Sequence, residues 1–173
     1  QGKLNDATEA YAKALSIKPN YADAYNNMGN ALKGTIFTKP NRDLQKTIVS
    51  LLDEKTYVRP KDIAMAVISL LRADPNLQKH LKLVDTEITQ SPLDVISDLS
   101  ELPLLLKLMS VCPLPDLELE ALLTKLRRYI LSNISSLKKP SPAFVGFQSA
   151  LALQCFTNEY IYNRSKEEEK ILQ

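Results

Sequence analysis

The chain is poor in the residues from which reactive sites are built. It has four glycines, one histidine, two cysteines and no tryptophan. The glycines, Gly2, Gly29, Gly34 and Gly146, are isolated, so no Gly-rich loop is available to cradle a phosphate or a dinucleotide. His80 has no paired Cys or carboxylate motif and reads as a surface residue, not a catalyst or a ligand. Cys112 and Cys155 sit in apolar stretches without metal-ligand spacing. They read as free, buried thiols of a reducing compartment, which points to the cytoplasm. There is no nucleophile elbow and no zinc motif, and no acidic pair that a cleft would bring together. The expectation is therefore no catalytic residue, no metal and no cofactor. Charge of one sign is also lacking: 22 basic residues against 20 acidic ones leave a net charge of +2. With no basic cluster interleaved with aromatics, neither nucleic acid nor an anionic membrane is an expected partner. No uncharged apolar run approaches the ~18 residues of a membrane span. The polar start, already helical in pattern, does not read as a secretory leader.

What is present is helix-forming. Apolar residues make up 45% of the chain and charged residues 24%, with few glycines to interrupt them. The most informative stretch is Gly2 to Lys33, GKLNDATEAYAKALSIKPNYADAYNNMGNALK. Ala7, Tyr11 and Ala14 recur at i, i+4 and i+7 on one helical stripe, and Pro19 stops that helix. Tyr25, Met28, Gly29 and Leu32 form the stripe of a second helix. Gly29 inside it costs roughly 1 kcal/mol relative to Ala, a loss that close packing of another segment against bare backbone offsets. These eight positions, across one helix–turn–helix, resemble the tetratricopeptide repeat (TPR), whose 34-residue units pack two antiparallel helices. The stretch YADAYNNMGNALK is most similar to the superhelical arrays of O-linked N-acetylglucosamine transferases and their bacterial relatives. That resemblance implies a groove lined by first helices. Asn27 matches the groove asparagine that pairs with a peptide backbone, and Asn30 lies one turn later. An amide suits this role because it both donates and accepts. Asp23, Asn26, Asn27, Asn30 and Lys33 are the expected peptide-binding residues. Asn26 stands where a carboxylate-clamp repeat has Lys, so chaperone-tail binding is not expected.

After Lys33 the repeat pattern breaks at GTIFTKP. Asn41 then caps a helix to about Asp53 with Leu44, Ile48, Leu51 and Leu52 on one face, a divergent last repeat. Pro60, Pro75, Pro92 and Pro103 each fit the first turn of a helix. Ile63, Val67, Leu70 and Leu71 face inward in the first of these, and Leu77, Leu81 and Val84 in the second. Asp116 caps a helix expected to run from Leu117 to about Leu137, with Leu119, Leu122, Leu123, Leu126, Ile130, Ile134 and Leu137 on its inner stripe. Arg127 and Arg128 on that helix read as solvated. After the breaker KKPSP, residues 143 to 163 read as a helix apolar nearly all round, suited to the middle of a bundle. Gln154, Asn158 and Glu159 are polar positions within it that need hydrogen-bond partners if buried. SKEEEKILQ is a charged exit.

The segments PDLELEALLTKLRRYIL and FQSALALQCFTNEYIYNRSKEEE together resemble the all-helical region between TPR repeats and the methyltransferase domain of bacterial S-adenosylmethionine-dependent enzymes. That resemblance spans residues 91 to 170 and implies a non-catalytic region beside a catalytic domain. The expected architecture is all-α, with residues 1–56 as the end of a TPR array and residues 57–173 as a helical bundle capping it, each with its own core. The expected function is protein or peptide binding without catalysis; the alternative is substrate positioning for a methyltransferase domain. Gln1 falls inside a repeat whose first helix is missing, which suggests a piece of a longer protein. The stripe Leu4, Tyr11, Leu15 then lacks its partner, so homodimerisation through residues 1–33 is a further expectation.

Overall fold

A computed structural model of the chain describes residues 2–53, 57–82, 91–134, 141–157 and 165–171. Every regular element among them is a helix. The first, α1 (Gly2–Ile17), turns through Lys18 to Tyr21 into α2 (Ala22–Leu32). Pro19 cannot continue the ladder, and the Lys18 amide makes the last α-type bond, to the Ala14 carbonyl at 2.9 Å. These two helices pack along their lengths as an antiparallel pair. Met28 and Leu32 of α2 are fully buried, together with Ala24 and Tyr25. The bare backbone at Gly29 lies against Val58, whose Cβ is 3.1 Å from where an added Cβ would sit. The close partner is thus the extended segment after the repeat. Next to it the rings of Tyr25 and Tyr57 stack, with centroids 5.2 Å apart.

GTIFTKP is anchored, not free. Thr35 is buried with its hydroxyl donating to the Ala31 carbonyl at 2.8 Å. Phe37 is buried, and its amide donates to Ser69 Oγ at 2.9 Å. Asn41 caps α3 (Arg42–Asp53), accepting from the Leu44 amide at 2.9 Å. Leu44, Ile48, Leu51 and Leu52 are all buried, as their spacing predicts.

The four proline-led helices form where the prolines stand: α4 (Pro60–Arg72), α5 (Pro75–Leu81), α6 (Pro92–Ser100) and α7 (Pro103–Val111). Asp74 caps α5 through the Asn76 amide at 2.9 Å, and its other oxygen accepts from Gln45 Nε2 at 3.1 Å. That second bond satisfies a buried carboxylate and ties α3 to α5. Ser91 precedes Pro92 without making a side-chain cap bond. Val84 lies outside the described residues. Asp116 caps α8 (Leu117–Ser132) through the Leu119 amide at 2.9 Å.

Helix α8 ends at Ser132, short of the expected Leu137, because Asn133 folds its side-chain amide onto the Tyr129 carbonyl at 2.9 Å and closes the last turn. Ile134 is consequently half exposed, and Leu137 lies outside the described residues. The last two helices are α9 (Pro142–Thr157) and α10 (Lys166–Ile171).

The expectation of two cores does not hold. The buried apolar residues form one continuous cluster from Leu15 on α1 to Leu151 on α9. Its bridge is α3, which packs on α7, while α4 touches both α2 and α7. An ion pair between Asp53 and Lys107 rims this junction. Nor does α9 occupy the middle of the bundle. It lies on the outside against α6 and α7, burying Phe147, Ala150, Leu151 and Gln154 and leaving the opposite face open.

Candidate functional site

Helix α2 buries one face and presents the other. Asp23, Asn26, Asn27, Asn30 and Lys33 are all exposed, and their spacing of three and four residues places them on a single outward stripe. The inner stripe, Ala24, Tyr25, Met28 and Leu32, explains the register: turning α2 to hide the amides would expose the core. Lys33 Nζ donates to Asn30 Oδ1 at 3.3 Å. Asp23, Asn26 and Asn27 make no side-chain hydrogen bond within the chain among the described residues. The stripe therefore offers a carboxylate, three amides and an ammonium to a ligand, with the exposed Lys33–Asn30 hydrogen bond as the internal contact among these side chains.

A second feature was not apparent from periodicity. An open cleft of about 420 Å³ lies between α1 and the first half of α3. Glu9, Lys13 and Ser16 line one wall, and Asn41, Asp43, Lys46 and Thr47 the other, over a floor of Ala12 and Leu44. None of the five stripe residues lines it. On α1 these polar positions recur at i, i+4 and i+7, which reads as an ordinary solvated face; only the packing of α1 on α3 turns them into a wall. The cleft holds no activated nucleophile. Ser16 Oγ donates to the Lys13 carbonyl at 2.7 Å, and Thr47 Oγ1 to the Asp43 carbonyl at 3.0 Å. Asn41 is held by its capping bond and by Glu9 Oε1 at 3.5 Å.

Outside these surfaces, two of the clusters with perturbed groups bear on chemistry. His80 is buried, against the surface reading, with Nε2 3.0 Å from Asp98 Oδ2. Lys79 Nζ also lies 2.7 Å from that oxygen. Burial lowers the His80 pKa below its usual value, more than Asp98 raises it; the hydrogen bond from Lys79 lowers that of Asp98. Nδ1 of His80 is buried without a partner, so the pair has no hydroxyl or thiol to activate. The dyad joins α5 to α6 and is structural.

The second cluster reads as a latch. Glu168 is buried on α10, and its carboxylate accepts from Arg127 Nε at 2.9 Å and Arg128 Nε at 3.4 Å. It also accepts from the Ser165 amide at 2.7 Å, while Ser165 Oγ accepts from the Glu168 amide at 3.2 Å. This is a capping box, spelled Ser-Lys-Glu-Glu in the charged exit. Burial pushes the Glu168 pKa up, but the hydrogen bonds from Arg127, the Ser165 amide and Arg128 outweigh it and hold the carboxyl below its usual range. The thiols are free, Cys112 buried and Cys155 half-buried. Burial pushes Cys112 up to about 11 and raises Cys155, so neither is a nucleophile at neutral pH.

Gln154 meets its need for partners inside the fold. Its amide nitrogen donates to the carbonyls of Met109 at 3.2 Å and Cys112 at 3.1 Å, and its oxygen accepts from the Leu114 amide at 3.1 Å. One side chain thereby satisfies the frayed end of α7. Asn158 and Glu159 lie outside the described residues. Among the described residues no group of three or more His, Cys, Asp or Glu is placed to hold a metal ion. No helix among them is long and apolar enough to cross a membrane.

Comparison with known proteins bears on the α1–α2 pair. A TPR repeat family model matches residues 1–35, which span the α1–α2 pair, and every regular element among the described residues is a helix. No curated protein and no solved structure matches the chain. TPR repeats generally mediate protein–protein interaction and are typically non-catalytic.

Proposed function

We propose that the chain is a non-catalytic binding module that holds an extended protein or peptide segment along α2. Asp23, Asn26, Asn27, Asn30 and Lys33 supply the contacts. The observation that carries this reading is their shared exposure on one stripe of a helix whose other face is buried in the core. Asparagine amides in a row pair with a peptide backbone regardless of its side chains; Asp23 and Lys33, near opposite ends of the stripe, favour one chain direction. Residues from about 57 to 173 act as the cap that holds α2 in place, through Tyr57 and Val58 against Tyr25 and Gly29. The setting is cytoplasmic.

A phage-displayed library of unstructured dodecapeptides tests the reading. Selected peptides should lose at least tenfold in affinity to an Asn27→Ala/Asn30→Ala variant and bind Lys46→Ala, on the α1–α3 cleft, unchanged. Equal binding by all three proteins would sink the assignment to α2.

A second reading places the module inside a larger S-adenosylmethionine-dependent methyltransferase, positioning substrate for a separate catalytic domain. What favours it is that the two segments resembling such proteins are tied together by the pairing of Arg127 and Arg128 with Glu168. Appending the downstream coding region and assaying methyl transfer separates the two readings.

A further inference from the structure

Helix α9 contains no charged residue from Pro142 to Thr157. At about 100° per residue, Ala152, Val145, Phe156, Ser149, Pro142, Leu153, Gly146 and Thr157 fill one continuous sector about 140° wide. Every one of these residues is exposed. Phe156 is 81% exposed, and Val145 and Leu153 are 45% exposed each. The opposite face is accounted for by α6 and α7, while this one is exposed and no element among the described residues is seen to cover it. Gly146 sharpens the point. A glycine inside a helix weakens it, and here nothing within 4 Å would meet an added Cβ. No neighbour in the fold requires the bare backbone, in contrast to Gly29.

We propose that this face pairs with the same face of a second copy of the chain, forming a two-fold, antiparallel α9–α9 contact. Two observations and an estimate of area favour a copy over a different partner. The sector carries no charge, so it presents nothing to steer or orient a charged partner and suffers no like-charge clash against itself. In an antiparallel pairing centred near Ser149, Leu153 of one copy falls over Gly146 of the other, and Phe156 over Pro142. The glycine becomes the seat for the leucine, which gives it the role it lacks in the monomer. Finally, the area is right for a weak dimer. Phe156 offers on the order of 150 Å², and the whole sector about 500 Å² per copy. Two copies then bury about 1,000 Å², the lower bound for a specific interface.

Sedimentation equilibrium of the full chain between about 5 and 300 μM tests this. The expected result is a monomer–dimer equilibrium in the tens-of-micromolar range. Gly146→Glu should weaken it more than tenfold, and so should Leu153→Glu. Glutamate is a better helix former than glycine, so Gly146→Glu should keep or raise the melting temperature, which separates loss of pairing from loss of fold. Tyr11→Phe, on the repeat face, should leave the dimer intact. A chain that stays monomeric at 300 μM overturns the proposal. A dimer that survives Gly146→Glu and Leu153→Glu also overturns it.

Discussion

At the scale of the residue, the chain separates side chains whose work is internal from those free for a ligand. Gln154 is the clearest internal case. It is fully buried and satisfies two carbonyls and an amide around the end of α7. Replacing it with Leu keeps similar bulk but leaves those groups unpaired. The expected loss is about 2–4 kcal/mol in urea denaturation, each orphaned group costing about 1–3 kcal/mol before local rearrangement. Gly29 gives a prediction with a sign that depends on its neighbour. Ala at 29 gains about 1 kcal/mol of helix propensity but presses its Cβ to 3.1 Å from Val58. Gly29→Ala should therefore be near neutral, and it should become stabilising in a Val58→Gly background, where the opposing Cβ is gone. Gly29→Leu should unfold the chain.

His80 sets a pH dependence. Its pKa is lowered in the folded chain mainly by burial, so the unfolded chain binds the proton more readily. Stability from this group is fully present above its unfolded value of about 6.5 and is lost as pH falls from there through the folded value. Melting temperature followed from pH 8 to 5 should drop below about 6.5, and His80→Gln should flatten that slope while costing stability throughout.

At the scale of the element, proline and cap residues did most of the signalling. Pro60, Pro75, Pro92 and Pro103 each stand at the first position of a helix, and Asn41, Asp74 and Asp116 each make a cap bond, while Ser91, in the same place before Pro92, makes none. These are local rules, acting within four residues, so they survive in a bare sequence. The exposed stripe of α2 was legible for the same reason: a helix with one apolar stripe must present the other. What failed was non-local. The pairing of Arg127 and Arg128 with Glu168 spans about forty residues and looked like two solvated arginines and a charged tail. An all-apolar helix has no period by which to choose its buried face, so its sequence points to the centre of the bundle when it lies outside. The α1–α3 cleft needed the packing of two helices that are not adjacent in the chain. The latch yields a test of its own. Glu168→Gln keeps the shape and removes the charge, so Arg127, itself mostly buried, loses this ion pair. The expected cost is about 3 kcal/mol or less, given that Arg128 is partly exposed. It should appear as faster amide exchange in α10 and the middle of α8, with α1 to α3 unaffected.

At the scale of the whole molecule, the decisive fact is that the repeat unit and the following helices share one core. A repeat docked loosely on a separate bundle would unfold by itself and leave the rest standing. Here α3 packs on α7, and the Tyr25–Tyr57 stack and the Gly29–Val58 contact cross from repeat to bundle. This alters what is expected of the stripe Leu4, Tyr11, Leu15. Leu15 is buried within the chain, Tyr11 is half-buried and Leu4 is 38% exposed. Tyr11 packs against the common core, so Tyr11→Glu should disturb that core as well as any contact beyond it.

The same continuity makes Cys112 a distant reporter. Its thiol is buried at the end of α7, far along the chain from Leu32 on α2, which is also fully buried. Leu32→Ala opens a cavity in the repeat and should cost about 2–5 kcal/mol. If the core is one cooperative unit, labelling of Cys112 by a thiol reagent in the folded state proceeds through global opening. It should then accelerate by the full factor that the loss in stability implies, tenfold for each 1.4 kcal/mol. Cys155, half-buried, is replaced by Ser so that the signal comes from Cys112 alone. If Leu32→Ala lowered the melting temperature of the repeat but left the Cys112 labelling rate unchanged, the two regions would be opening independently, and the single core would not be a single folding unit.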